Sequence, residues 1–215
     1  VAGRGPAGVV VSTDGSRTYV HNYLDRSISV FDTGPVISGG PANTTAVTTI
    51  EATDAESLSP QVLLGKQLFH DALSTRLVKQ NYFSCASCHS DGGHDGRVWD
   101  VSDLGEGLRN TIDLRGKAGT GHGNVHWTAN FDEIHDFEND IRGVFQGQGL
   151  MANQQFADSE DPLGPVKAGR SNDLDALAAY VSSLNTVGTS PLRNSQGNLS
   201  SDAVAGRVLF LQANC

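Results

Sequence analysis

The chain opens on a β pattern. Val9-Val10-Val11 is an apolar run, Asp14-Gly15 a turn signal and Thr18-Tyr19-Val20 a second run. A second turn over Asn22 to Arg26 follows, and Ile28-Ser29-Val30-Phe31-Asp32 then alternates at period two. This predicts three short strands within residues 1–33, a meander too small to bury a face by itself. Residues 34–57 are rich in Gly, Pro, Thr, Ala and Ser, with Gly39-Gly40-Pro41 as a breaker. They predict a linker, or a last strand around Val47 to Ile50 followed by a linker.

The period then changes to helical. Ser59-Pro60 is an N-cap followed by proline at the first helical position, and Val62, Leu63, Gly65, Leu68 and Phe69 recur at helical spacing up to His70-Asp71. Residues 72–170 carry 14 Gly and few periodic runs, so they predict loop, with a helix only over Phe131 to Val144. A helix is predicted over 172–184, with Asn172 as cap, Asp173 and Asp175 in its first turn, and Leu174, Leu177, Ala178, Val181 and Leu184 on one face. A last helix runs from Ser200 to Gln212, capped by Ser200 or Ser201. Gly65 permits close approach of the first of these helices to the helix over 172–184, with Phe69 and Tyr180 as the aromatic pair at the crossing.

Composition narrows the function. The 215 residues hold 24 Asp+Glu against 15 Lys+Arg, a net charge of −9, which argues against a nucleic-acid binder. No apolar run approaches the length of a membrane span. With 8 Phe, 4 Tyr and 2 Trp, the chain is short of large rings to fill a core, and a bound group is expected to help organise residues 72–170. Three cysteines rule out a disulfide scaffold. The chain reads as an excerpt of a longer protein: it begins Val1-Ala2-Gly3 and ends in an apolar stretch before Cys215.

The chemistry lies in Cys85-Ala86-Ser87-Cys88-His89. Cys-x-x-Cys-His is the attachment motif of c-type heme: two thiols at a short fixed gap reach two vinyl groups, and the following His turns under the iron as proximal ligand. A structural zinc site needs a second Cys/His pair, and none is present in clean form. A thioredoxin-type motif needs a long helix after it, whereas Ser90-Asp91-Gly92-Gly93 follows here. A repeat points the same way. Gly65-Lys66-Gln67-Leu68-Phe69 recurs as Gly206-Arg207-Val208-Leu209-Phe210; the first copy leads to Cys85 and the second to Cys215. Cys215 is therefore expected to open a second attachment motif.

Two resemblances emerge from this text. GPAGVVVSTDGSRTYVHNYLDRSISVFDT resembles one blade of a YVTN-type β-propeller, the alternative being an ordinary three-stranded sheet packed on the next domain. Residues 58–215 resemble the di-heme cytochrome c peroxidase and MauG superfamily, through LLGKQLFHDALST, SCASCHSDGG, LRNTIDLRG, HWTANFDEIHDFENDIR and LDALAAYVSSL. Together they are similar to surface-layer-type proteins fusing such a propeller to such a module. The expected fold is a mostly α, loop-rich cytochrome c-like heme domain over 58–190. A propeller fragment (1–33) and a linker (34–57) precede it, and the start of a second heme domain (191–215) follows it.

The resemblance implies roles. Trp127 matches the relay Trp between the two hemes, although the Asp-Gly-Arg that follows it in the family is absent. Asp136, with Glu138 nearby, stands where the family has an acid/base for O–O cleavage; an acidic solvated helix face is the alternative. The second axial His of many members falls on Gly105, so the distal ligand is sought among His94, His122, His126 and Met151. His126, beside Trp127, is the choice over His122 and Met151. Arg109 matches a residue that bonds a heme propionate, with Arg115 and Arg142 as rivals. The implied cofactors are covalent heme c, a second heme beyond Cys215, and a calcium ion as a further candidate. The implied partners are hydrogen peroxide and an electron-donor cytochrome or small redox protein. The implied location is the periplasm or the bacterial cell surface. Peroxidase, pure electron-transfer cytochrome, MauG-like oxidant of a partner protein and propeller-based binding protein are the functions to be separated.

Overall fold

The computed structural model describes residues 2–43, 45–190 and 192–215. In chain order the elements are β1 (Pro6–Val11), β2 (Arg17–Asn22), β3 (Ser27–Asp32), α1 (Gly34–Ile37), β4 (Thr48–Glu51), α2 (Pro60–His70), α3 (Cys85–Cys88), β5 (Val98–Val101), β6 (Gly107–Asn110), α4 (Phe137–Arg142), α5 (Asn153–Ala157), α6 (Asn172–Ser183) and α7 (Ser201–Gln212).

The expectation of a mostly α chain is corrected. Helix accounts for 29% of residues and strand for 17%, in two antiparallel sheets. The first has the order β1-β2-β3-β4, so the alternative of a last strand near Val47 to Ile50 is the one observed. The second is the β5–β6 hairpin, with Val98 opposite Asn110 and Val101 opposite Gly107. Its two strands lie inside the stretch expected as loop. Each contributes four residues, too few for a periodic signal to stand out.

The meander is pinned by a polar residue. Asn22 is fully buried; its amide donates to Ser27 Oγ at 3.0 Å and Ser29 Oγ at 2.8 Å, and its oxygen accepts from the Gly3 N–H at 3.0 Å. These bonds close the turn between β2 and β3. Leu24 and Val30 are buried, while all of β1 and β4 is exposed.

The main core lies between α2 and α6. Ser59 caps α2, accepting from the Val62 N–H at 3.3 Å. α6 is capped by Ser171, whose hydroxyl accepts from the Leu174 N–H at 3.3 Å; Asn172 is its first residue rather than its cap. Gly65 is essential to the crossing, because a Cβ there would lie 1.8 Å from the Ala176 carbonyl oxygen. Phe69 and Tyr180 meet as expected, edge to face with centroids 5.1 Å apart. Leu77, Val78, Ile134, Ile141, Leu150, Leu174 and Leu177 belong to the same cluster. The helix expected over 131–144 is shorter: a 3-10 turn at Ile134–Asp136 leads into α4, which ends at Arg142. Among the described residues no helix is long and apolar enough to cross a membrane.

Candidate functional site

Cys85 and Cys88 occupy the two ends of α3, one turn apart and therefore on the same side of that turn. Ser84 and Ser87 hold the turn in place, the Ser84 N–H donating to Ser87 Oγ at 3.0 Å. Both cysteines are free thiols. Burial pushes the Cys85 thiol up to about 11 and raises Cys88 as well. α3 ends at Cys88 and a 3-10 turn at Ser90–Gly92 follows, where a thioredoxin-type motif would continue into a long helix.

His89 follows directly, with its ring set by the backbone. Nδ1 lies 3.0 Å from the Ile112 carbonyl oxygen and 3.2 Å from that of Gly93, so it carries the proton and donates to them. Among the described residues Nε2 has no hydrogen-bond partner, and it keeps its lone pair. Burial lowers the pKa of His89 against the raising effect of the two carbonyls, which favours the neutral imidazole. This is how a ligating histidine is prepared: one nitrogen held by a carbonyl, the other free for metal. Gly92 makes the wrap around His89 possible; it has φ of +73°, and a Cβ there would meet Leu184 at 2.8 Å. The donor set of two thiols and one oriented imidazole fits the group that the motif predicts.

A cavity of about 440 Å³ shares its wall with this segment, lined among others by Arg97, Ile112, Lys117 and Trp127. Trp127 donates from Nε1 to the Asn110 carbonyl at 2.8 Å and is 59% exposed. It also lines a neighbouring cavity of about 330 Å³ with Leu108 and Arg109. Arg109 bonds the Leu108 carbonyl at 3.0 Å and lies 3.3 Å from Glu106. Of its rivals, Arg115 pairs with Asp113 at 2.6 Å. Arg142 is spent on Glu138, Asn153 and the Met151 carbonyl.

The two carboxylates expected to move protons are bound otherwise. Asp136 is 1% exposed; Oδ1 accepts from Lys167 Nζ at 2.8 Å, and Oδ2 from the N–H groups of Asp132 and Glu133 at 3.1 and 3.0 Å. Glu138 is fully buried and accepts from the Leu150 and Met151 N–H groups at 2.9 and 3.0 Å and from Arg142 Nε at 2.8 Å. Both anchor loops, and neither forms a solvated acidic face.

The candidate distal ligands are also engaged. His126 has Nδ1 2.9 Å from Asn130 Oδ1 and Nε2 3.4 Å from Asp140 Oδ2, and its ring packs on Phe131 and Phe137. Burial pulls its pKa down, but Asp140 and Asn130 outweigh this and the net shift is upward. His122 is exposed, with Nε2 3.2 Å from the Gly116 carbonyl. Met151 is buried in the core. His94 is exposed, its Nδ1 accepting from the Gly96 N–H at 3.1 Å. Cys215 is exposed just past α7. Among the described residues no group of three His, Cys, Asp or Glu is placed to hold a metal ion, which leaves the calcium expectation without a cluster.

Sequence reasoning missed Lys167, buried against Asp136, and the Ile112 carbonyl that sets His89. A lone lysine in a Gly- and Pro-rich stretch carries no signal of burial, and a backbone carbonyl carries none at all.

No family profile matches the chain, and no curated protein does. Among solved structures it is similar to hydrazine synthase of Kuenenia stuttgartiensis pressurized with xenon, with 26% identity and a TM-score of 0.47. The match covers 73% of this chain and 46% of that one, so the chain spans about half of that structure's chain.

Proposed function

We propose that this protein attaches heme c through Cys85 and Cys88, ligates its iron through His89 Nε2, and works as a redox protein of the di-heme peroxidase kind outside the cytoplasmic membrane. The carrying observation is His89, its Nδ1 proton held by Ile112 and Gly93 and its Nε2 free, one residue after two thiols a turn apart. Heme, when bound, supplies one-electron chemistry and an iron to which peroxide can add. The chain's own residues do the rest. Ile112 and Gly93 keep the imidazole neutral and oriented. Arg97 and Lys117 bring positive charge to the wall of the adjoining cavity, beside the carboxylate of Asp113, and would pair with carboxylate groups of a ligand there. Trp127 presents an oxidisable ring at the same cavity.

A second heme on Cys215 belongs to this reading. α7 repeats the Gly-x-x-Leu-Phe text of α2, yet Gly206 has open space where Gly65 meets α6, and Phe210 is 57% exposed where Phe69 is 2% exposed. The helix carries the face that α2 uses, uncovered.

Pure electron transfer is the second reading, and one observation favours it. Asp136 and Glu138 are saturated by structural bonds, so neither is free to shuttle a proton in O–O cleavage.

The test is the alkaline pyridine spectrum of the denatured protein. A c-type reduced spectrum that acid-acetone does not extract, lost in the Cys85→Ala, Cys88→Ala variant, is expected. A well-folded, colourless native protein overturns the reading. With heme present, a high-spin iron that reacts with peroxide selects the peroxidase, and an inert low-spin iron selects electron transfer.

A further inference from the structure

A file of aromatic rings leads from His89 out of the core to the β meander. His89 lies 6.3 Å, centroid to centroid, from Phe69. Phe69 lies 5.1 Å from Tyr180 and 5.4 Å from His70, and these two are 6.1 Å apart. His70 lies 6.5 Å from Tyr23, and Tyr23 is 6.4 Å from His21. No step exceeds 6.5 Å, and every ring pair is tilted or edge-on, the packing that aromatic rings prefer. The inner members are buried or half-buried, while Tyr23 and His21 are exposed.

The outer end is held firmly. Lys66 Nζ lies over the Tyr23 ring, 4.3 Å from its centroid, and also bonds its hydroxyl; Arg26 stands 5.3 Å from the same ring. Lys66 and His70 are one turn apart on α2, and His70 Nδ1 donates to the Lys66 carbonyl at 2.8 Å, which fixes the ring facing Tyr23. Gln67 adds a bond to the Leu24 carbonyl at 3.3 Å and accepts from Arg4 at 3.0 Å. The meander is thus fastened to α2 at the point where the rings meet.

We propose that this file is an electron route between the heme carried by His89 and a one-electron redox partner at the surface, with Tyr23 as its oxidisable outer end. The proposal rests on the heme reading above. Tyr180 is 6% exposed and serves as a bridging ring inside the core, while Tyr23, 38% exposed, meets the solvent at the surface end of the file. When a strong one-electron oxidant acts at the surface, Tyr23 gives up one electron to it and its phenol proton to water. The tyrosyl group then takes one electron from the reduced heme and a proton from water. The net change is one electron passed from heme to oxidant.

A photo-oxidant tests the route without peroxide. A ruthenium–bipyridine complex is attached to His21 of the heme-loaded protein, with His94 and His122 replaced by Gln. Flash-quench then generates the oxidised complex, and oxidation of the reduced heme is followed by absorbance. Tyr23→Leu and His70→Gln are each expected to slow heme oxidation severalfold, and a transient tyrosyl absorption is expected only when Tyr23 is present. Tyr82→Leu, an exposed ring outside the file, is expected to leave the rate unchanged. Equal rates in all variants, or no tyrosyl transient, overturn the route while leaving the heme reading intact. A protein without covalent heme, shown by the pyridine spectrum, overturns the heme reading instead and the route with it.

Discussion

Gly65 on α2 faces Ala176 on α6 so closely that a Cβ built on the glycine would stand 1.8 Å from the Ala176 carbonyl oxygen and 2.8 Å from Tyr180 Cβ. The two helices that build the core therefore touch backbone to backbone. Alanine at position 65 gains helix propensity of about 1 kcal/mol but forces the helices apart. Gly65→Ala is expected to destabilise the fold by about 2 kcal/mol net, in the range for overpacked cores. Gly206→Ala, at the equivalent point of the repeat with nothing within 4 Å, is expected to be neutral or stabilising. Urea unfolding of the two variants checks the pair, and equal effects would remove the packing argument.

Glu138 holds two backbone N–H groups and Arg142 in a site without solvent access. Glu138→Ala leaves all three donors without their acceptor, and a cost of about 3 kcal/mol is expected. On the proposed heme reading, attachment and spectrum survive in whatever fraction remains folded. Loss of peroxide chemistry with undiminished stability would instead return Glu138 to a catalytic role.

His126 contributes a pH-dependent increment. Its folded pKa is raised above the ordinary 6.5, so protonation is favoured in the folded state. The stabilisation is complete below that ordinary value and is lost as pH rises through the higher folded value. Melting temperatures of the protein and of His126→Asn, a residue that tolerates the positive φ of 64° at this position, are expected to differ most in mild acid. The gap should narrow as pH climbs above 6.5. A gap that widens with pH would reverse the assignment.

Ser171 does two things with one hydroxyl. It caps α6 at Leu174 and donates to the Leu150 carbonyl at 2.8 Å. Ser171→Ala is expected to cost about 1–2 kcal/mol, the upper part of the range for a lost cap. Asn172→Ala should cost less, since Asn172 lies inside the helix. Thermal melts of both variants decide which residue is the cap.

What rests on neighbours close along the chain was legible in the residues alone. The spacing of Cys85, Cys88 and His89 on a single turn, the Ser59-Pro60 start of α2 and the alternation of β3 are all local patterns. The meeting of Phe69 with Tyr180 was legible too, because a glycine one turn before an aromatic marks a close helix crossing. The surroundings of the charged groups came from the folded packing. Asp136 looks like a proton carrier beside four other acids, but Lys167, 31 residues on, converts it into half of a buried pair. Glu138 is claimed by N–H groups 12 and 13 residues away, and His89 is oriented by a carbonyl 23 residues away. The β5–β6 hairpin escaped for a related reason: four-residue strands are held by cross-strand bonds, and no period within either strand announces them. Burial and partners set what a carboxylate or an imidazole does, and in a stretch with 14 Gly among residues 72–170 the partners come from distant loops that no local pattern reveals.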